Sequence, residues 1–160
     1  MGCDRPDDPK CEEGRIVSVA LSSSAAMGSL GMNVEIGTAT NIDNGYEISY
    51  ARIGPSMGLG ASASLEVAVQ VGSLDSFLGQ PSEGVGQAGE FELSVGALSA
   101  NVPIDLGNNW KPLGGGFNVG GGMYQGLNFV GGTWASAPRK PDSARLQRCT
   151  SMAVGLAPTC

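Results

Sequence analysis

The chain has 160 residues, of which 26 are glycine, 41% are hydrophobic and 15% are charged, and its formal net charge is −6. This length fits one domain with a core of its own. Alternating aliphatic residues distinguish the chain from disordered segments, which are charged and poor in aliphatic residues. The chain has no histidine, which excludes Ser-His-Asp and Cys-His catalysis and histidine-bound metal.

The distribution of charge and cysteine divides the chain into three predicted segments. Residues 1–14 form a cysteine-bearing N-terminal tail, residues 15–137 a glycine-rich antiparallel β-domain, and residues 138–160 a basic, cysteine-bearing C-terminal tail. Between positions 16 and 138, nine carboxylates accompany only two cations, Arg52 and Lys111. This acidic body disfavours nucleic acid as a partner because it repels phosphate. The basic tail is interpreted as a solvated segment, with docking on an acidic surface or anionic lipid as the alternative.

The first half of the β-domain has the pattern of strands joined by short turns. Strands are predicted over 15–23 and 26–37, where apolar residues alternate with small or polar ones. Asn44-Gly45 supplies the positive φ of a hairpin turn, so a strand is expected over 46–53. A further turn is predicted at residues 54–55. Neighbouring strands connected in this way run antiparallel.

Residues 57–71 carry the most regular pattern in the chain. Every second residue is apolar, and the residues between them are small or polar, with Glu66 as their only charge. A period of two places the apolar residues on one face of a strand. That face is predicted to contact either the core or a membrane, through Leu59, Leu65, Val67, Val69 and Val71. The opposite face is expected to meet a second sheet, a lumen or a membrane-linked partner.

The alternation resumes after a loop predicted over 72–89, which includes a short helical turn at 74–78. A strand is predicted over 90–100 and continues to 106, with Pro103 marking an edge or a bulge because it lacks a ladder donor. The remaining predicted elements are strands over 114–123 and 127–134 and a short helix over 143–152. The predicted fold class is therefore all-β: an antiparallel sandwich or small barrel of seven to eight strands, with short irregular or helical tails.

All four cysteines lie outside the predicted strands. An even number confined to the two ends indicates disulfides formed in an oxidising compartment, with local or end-to-end pairing; free thiols are the alternative. Zinc is disfavoured because neither pair has the two-to-four-residue spacing of a zinc knuckle. The candidate disulfide residues are Cys3, Cys11, Cys149 and Cys160.

No group of residues indicates catalysis, and no catalytic residue, cofactor or metal site is predicted. Glu90 and Glu92 share one strand face, which is interpreted as a solvent-facing edge of the sheet. Glu66 is expected either to point into a lumen or to pair across the hairpin with Arg52 on the neighbouring strand.

The order of these elements resembles a known kind of protein region. A leading CDRPDDPKCEE segment precedes VSVALSSSAAMGSLGMNVEIG and GLGASASLEVAVQVG, which are followed by LDSFLG, ELSVGALSANVPI, GGGFNVGGGMYQGLNF and a Gly-Thr-Trp. This layout is similar to the Gly-rich C-terminal (toxin) region of bacterial RHS-type polymorphic toxins. The resemblance implies a secreted effector released from a larger parent polypeptide, with an immunity protein as a further partner and a competitor cell as its target.

Two classes of function fit these patterns. The first is an effector that acts on membranes, pore-forming or membrane-perturbing, because strands with one aliphatic face can present that face to lipid. Its aliphatic faces are expected to be buried in the water-soluble form and exposed on contact with lipid. Trp110 and Trp134 are candidate interfacial aromatics, and in a soluble fold they are expected to lie in the core. The alternative is a non-catalytic soluble β-domain for packing, adhesion or ligand binding. The first residues show no signal-peptide pattern, and secretion is expected from the resemblance.

Overall fold

Antiparallel strands account for most of the chain. The computed structural model describes residues 8–78, 88–105 and 111–141. Within these ranges the elements are β1 (Gly14–Gly28), β2 (Leu30–Asn41), β3 (Tyr46–Gly72), α1 (Leu74–Phe77), β4 (Ala88–Val95), β5 (Leu98–Asp105), β6 (Lys111–Pro112), β7 (Gly114–Phe129) and β8 (Gly132–Ala135). The prediction of an antiparallel all-β fold is confirmed, and the short helix is found inside the predicted 74–78 turn. The helix predicted over 143–152 lies outside the described residues.

Strand β3 organises the first half of the sheet. It is 27 residues long, and its residues 46–55 pair with β2 while residues 58–72 pair with β1. Because β1 and β2 also pair with each other as a hairpin, β3 bends between its two halves. The change of partner falls between Pro55 and Gly58. Gly60, close to it, has a φ of 104°, which other residues rarely adopt. A Cβ at Gly60 would also lie 1.9 Å from the Met123 carbonyl oxygen of β7.

Strand β7 repeats this arrangement in the second half. Its residues 116–119 pair with β5 and its residues 123–129 pair with β4, while β4 and β5 form a hairpin. The opposite edge of β7 pairs with β3 from Gly114 to Asn128, and β8 pairs with β3 further along. Both strands of each hairpin therefore pair with one long strand: β1 and β2 with β3, and β4 and β5 with β7. This arrangement gives the sheet an inward and an outward face.

Several predicted boundaries differ from the structure. The turn predicted at residues 54–55 lies within β3. The carbonyl oxygen of Phe129 approaches Gly54 so closely that a Cβ at this position would lie 1.7 Å from it. Gly28 and Gly96 make the turns of the two hairpins, each with a positive φ, inside ranges predicted to be single strands. Residues 114–129 form one strand where two were predicted. Glycine occurs in both the strands and the turns of this chain, so the alternation of apolar residues does not show where a strand ends and a turn begins.

A small hydrophobic core lies at one end of the sheet beneath α1. The helix begins at a capping box, in which the side chains of Ser73 and Ser76 bond reciprocally to backbone N–H groups. The ring of Phe77 meets that of Tyr50 edge-on, with centroids 5.0 Å apart. In the part of the chain that the structure describes, no helix is long and apolar enough to cross a membrane. The core residues are Ile16, Ala20, Ala39, Ile48, Tyr50, Leu74, Phe77 and Leu78.

Candidate functional site: an apolar outer surface over a polar interior

The outward face of the sheet is apolar. Alternation along the strands brings large hydrophobic side chains to this face, where each residue exposes more than a third of its surface. We call this set the outer apolar surface; it comprises Val19, Leu21, Met27, Leu30, Met32, Val34, Ile36, Ile53, Met57, Leu59, Leu65, Val67, Val69, Val71, Phe91, Leu93, Val95, Leu98, Val102, Phe117, Val119 and Met123.

The five strand residues predicted to face the core or a membrane all belong to this surface. Leu59, Leu65, Val67, Val69 and Val71 expose 68%, 47%, 45%, 48% and 65% of their surface. They lie on the outside of the sheet and not in its core. The structure also differs from the expectation that the aliphatic faces are buried before they meet lipid, since they are already exposed.

The outer apolar surface is large and uncharged. The described residues contain no Asp, Glu, Lys or Arg at positions 16–34, 53–65, 93–104 and 112–138. The surface consists of 22 large apolar side chains, each more than a third exposed, whereas the largest apolar patch of a typical monomer measures about 300–600 Å². Exposure of apolar surface to water is unfavourable by roughly 25 cal/mol per Å².

The inward face of the same strands is polar, and Glu92 lies at its centre. Glu92 is 1% exposed and accepts four hydrogen bonds. Ser62 and Ser94 donate to Oε1 at 2.7 and 2.8 Å, and Ser24 and Asn128 donate to Oε2 at 2.8 and 2.9 Å. A buried carboxylate requires such partners. The donors come from β1, β3, β4 and β7, so this network connects the two halves of the sheet.

A second inward carboxylate, Glu66, is only partly satisfied. Asn101 Nδ2 donates to Glu66 Oε1 at 2.6 Å and to Glu90 Oε2 at 2.9 Å, whereas Glu66 Oε2 has no hydrogen-bond partner in the described part of the chain. Burial, and then the nearby charge of Glu35, raise the pKa of Glu66 to about 8. Burial, followed by the charge of Glu66, also raises the pKa of Glu90 well above its ordinary value. Both carboxyl groups therefore favour the protonated form.

Arg52 is the inward-facing cation of the described residues. Its Nη1 lies 3.3 Å from Glu35 Oε2, and its guanidinium carbon lies 4.1 Å from the ring centroid of Phe77 and 4.9 Å from that of Tyr50. The Tyr50 hydroxyl also donates to Glu35, and burial, with the charge of Glu35, raises the pKa of Tyr50. The ion pair that the sequence suggested between Arg52 and Glu66 is thus made with Glu35.

A cavity of about 40 Å³ separates these groups, and Glu35, Arg52, Glu66, Gln70 and Glu90 contribute to its lining. A volume of this kind accommodates about three water molecules, at roughly 10–15 Å³ each. Among the described residues, no group of three or more Cys, Asp or Glu side chains is placed to hold a metal ion.

The polar network was missed by sequence reasoning. Glu90 and Glu92 share a strand face, but this face points inward and is not a solvent-facing edge. The reason is that β4 pairs with β5 on one edge and with β7 on the other, so it is not an edge strand. One signal was available, since Ser62, Ser64 and Glu66 alternate with aliphatic residues and form a continuous polar face.

The remaining predicted residues lie at the periphery or outside the described ranges. Trp134, on β8, exposes 64% of its surface, whereas Trp110 lies outside the described residues. Cys11 lies in a turn that precedes β1. Cys3, Cys149 and Cys160 are outside the described residues, and the predicted disulfides stay a prediction.

Comparisons with known proteins add no identification: no family model, no curated protein and no solved structure matches the chain. The resemblance to RHS-type toxin regions likewise stays a prediction.

Proposed function

We propose that this chain is a membrane-perturbing domain whose outer apolar surface binds lipid directly, without covalent chemistry. The observation that carries the proposal is the inverted distribution of side chains. Leu, Val, Met and Phe point outward, whereas Ser, Asn and Glu are buried. Proteins in water mostly bury the former and expose the latter, while sheets in contact with lipid turn their apolar side chains outward.

Lipid covers a surface of this shape better than a protein partner does. The exposed residues occur on both halves of the sheet, with Leu21 on β1, Ile36 on β2, Leu93 on β4 and Val119 on β7 as examples. A protein partner covers one side, whereas lipid surrounds the inserted part. Transfer of apolar surface from water to lipid stabilises the lipid-bound state by roughly 25 cal/mol per Å², before the costs of association. No charge on these outward strand positions opposes the transfer, at about 2–4 kcal/mol per charge.

The polar interior supports the same function. Hydrogen bonds that are fully enclosed strengthen as the surrounding dielectric falls, so the Glu92 network holds the sheet together when lipid replaces water outside. The inward side chains thereby maintain the outward display of apolar residues.

The biological setting that fits this surface is that of a secreted bacterial effector acting on a competitor cell. In this proposal, which takes up the RHS-like layout of the sequence, a larger parent polypeptide delivers the domain and an immunity protein protects the producer. Pore formation is the stronger form of the activity, and disturbance of lipid packing is the weaker form.

A non-catalytic soluble β-module is the second candidate, and one part of the molecule favours it. The hydrophobic cluster beneath α1, which includes Ile16 and Ile48, and the exposed ion pairs nearby are ordinary features of a protein in water. In such a module the outer apolar surface binds another protein, for packing or adhesion.

Flotation with lipid vesicles tests the proposal. The purified chain is expected to float with phosphatidylcholine–phosphatidylglycerol vesicles and to release an encapsulated dye. The double variant Leu65→Lys, Val67→Lys is expected to lose both properties. The double variant Ala135→Lys, Ala137→Lys, which adds the same charge at exposed positions outside the outer apolar surface, is the matched control and is expected to retain them.

Three further outcomes decide between the candidates. Discrete conductance steps across a planar bilayer, together with toxicity in the periplasm of a susceptible cell, support the pore-forming version. Dye release without conductance steps supports lipid disturbance. A chain that remains in the aqueous fraction and releases no dye contradicts the proposal and favours the soluble module.

A further inference from the structure

Apolar and charged residues of the described chain are separated along the strands. β1 ends at the hairpin turn, where Met27 is opposite both Leu30 of β2 and Leu59 of β3. β3 runs towards this turn alongside β2 and returns from it alongside β1, so its bend lies at the same end. We define the apolar tip as Met27, Leu30, Met32, Met57 and Leu59, which expose 80%, 79%, 55%, 47% and 68% of their surface.

The opposite end of the same strands carries the charges. Arg15 and Asp43 form an ion pair at 2.5 Å, and Glu47 and Arg139 form another at 2.9 Å. Apart from five inward-facing side chains on β2, β3 and β4, the charged residues of the described chain lie at positions 8–15, 43–47, 75, 105, 111 and 139–140. We define these positions as the charged end.

Backbone contacts bring this charged end together. The backbone amide of Asp75 donates a hydrogen bond to the carbonyl oxygen of Lys10, and the amide of Ile42 donates one to the carbonyl oxygen of Arg15. The amide of Val71, near the end of β3, donates to Leu113, whose own amide donates to Pro103. The segments that carry the charges therefore lie beside one another, next to the ends of β1, β2 and β3 that are opposite the apolar tip.

We infer that the chain enters a membrane with its apolar tip first, while the charged end stays in water. The inference rests on the proposed function and adds an orientation to it. Insertion of the tip removes apolar side chains and the uncharged turn residue Ser29 from water, whereas insertion of the charged end would strip water from exposed charges that surface ion pairs compensate weakly. The lipid contacted is therefore the acyl region, reached by the tip, and the charged end lies at the aqueous side.

The position of Trp134 agrees with this orientation. Its strand, β8, pairs with β3 from Tyr50 to Ile53, between the apolar tip and the Glu47–Arg139 ion pair. The indole is 64% exposed. Tryptophan is favoured where hydrocarbon gives way to water, and Trp134 occupies that boundary when the tip is inserted.

Depth-dependent tryptophan quenching tests the orientation. In a chain with Trp110→Phe and Trp134→Phe, a single tryptophan is introduced by Leu30→Trp at the tip or by Asn44→Trp at the charged end. Each variant is bound to phosphatidylcholine–phosphatidylglycerol vesicles that contain acyl-brominated phospholipid, and flotation and circular dichroism confirm that both bind and fold alike.

The tip variant is expected to shift its emission to the blue and to be quenched by the brominated acyl chains, with little quenching by aqueous iodide. The charged-end variant is expected to be quenched by aqueous iodide, with little quenching by the brominated acyl chains and no blue shift of its emission. Equal quenching of both by bromine, or deeper quenching of the charged-end variant, overturns the orientation while leaving membrane binding intact. Absence of flotation for the unmodified chain overturns the proposed function and the orientation together.

A charge placed at the tip gives an independent readout. Leu30→Glu is expected to weaken vesicle partitioning by about tenfold or more, because the glutamate would enter lipid. Ala137→Glu, at an exposed position beside the charged end, is the matched control and is expected to leave partitioning within about twofold. Equal weakening by both substitutions contradicts entry by the tip.

Discussion

Two adjacent positions of β3 test which face of the sheet is inside. Val67 points outward and is 45% exposed, while Ala68 points inward and is 7% exposed. Val67→Asp adds a solvated charge, and we expect it to change the free energy of unfolding by no more than about 0.5 kcal/mol. Ala68→Asp places a carboxylate between Ser18 of β1 and Gly116 of β7, and we expect a loss of about 3–4 kcal/mol.

Urea unfolding followed by far-UV circular dichroism measures both effects. The substitutions introduce the same residue one position apart, so that differences in strand propensity and unfolded-state charge largely cancel. Val67→Asn and Ala68→Asn separate the effect of charge from that of shape. In vesicle flotation the order is expected to invert: Val67→Asp weakens binding although it preserves stability in water.

A particular result would refute this reasoning. If Val67→Asp lowers the unfolding free energy by several kcal/mol while Ala68→Asp leaves it unchanged, the aliphatic face is the core. The outer apolar surface would then not exist in solution, and the proposal of direct lipid binding would lose its basis.

Three further predictions concern the interior and the cysteines. Glu92→Ala leaves four buried donors without their acceptor, and denaturant unfolding is expected to show a loss of about 3–5 kcal/mol in the free energy of unfolding. The control is Glu47→Ala, which removes one partner of the surface ion pair with Arg139 and is expected to cost less than about 1 kcal/mol. An equal effect of the two substitutions would contradict the network. The pKa of Glu66 is raised to about 8 in the folded state from an ordinary 4.5. Between these two values the folded state holds a proton that the unfolded state has released. The contribution of this proton to folding stability is therefore fully present below about pH 4.5 and is lost as the pH rises towards 8. Glu66→Gln is expected to flatten this dependence, and an unchanged pH profile of the melting temperature in that variant would show that another group is responsible. Alkylation without reductant, read by intact mass, is expected to leave the cysteines unmodified, and four alkylated thiols would exclude the disulfides proposed for Cys3, Cys11, Cys149 and Cys160.

The strands themselves could be predicted from local pattern. A period of two over 57–71 is incompatible with one face of a helix, and the same alternation located most of β1 and β2. The pattern also assigned Leu65, Val67 and Val69 to one face and Glu66 to the other, since neighbouring side chains on a strand point to opposite sides. These assignments depend only on residues close together in the chain.

Which face lies inside depends on contacts that alternation does not contain. A period of two defines two faces but not which of them lies inside. That depends on the change of partner in β3 between Pro55 and Gly58 and on pairing between strands far apart in sequence. The partners of Glu92 make the same point, because Ser24, Ser62 and Asn128 lie 68, 30 and 36 positions away. Only after the sheet has closed do they surround one carboxylate, and only then does the aliphatic face, which reads as a core in the sequence, become the outer surface of the protein.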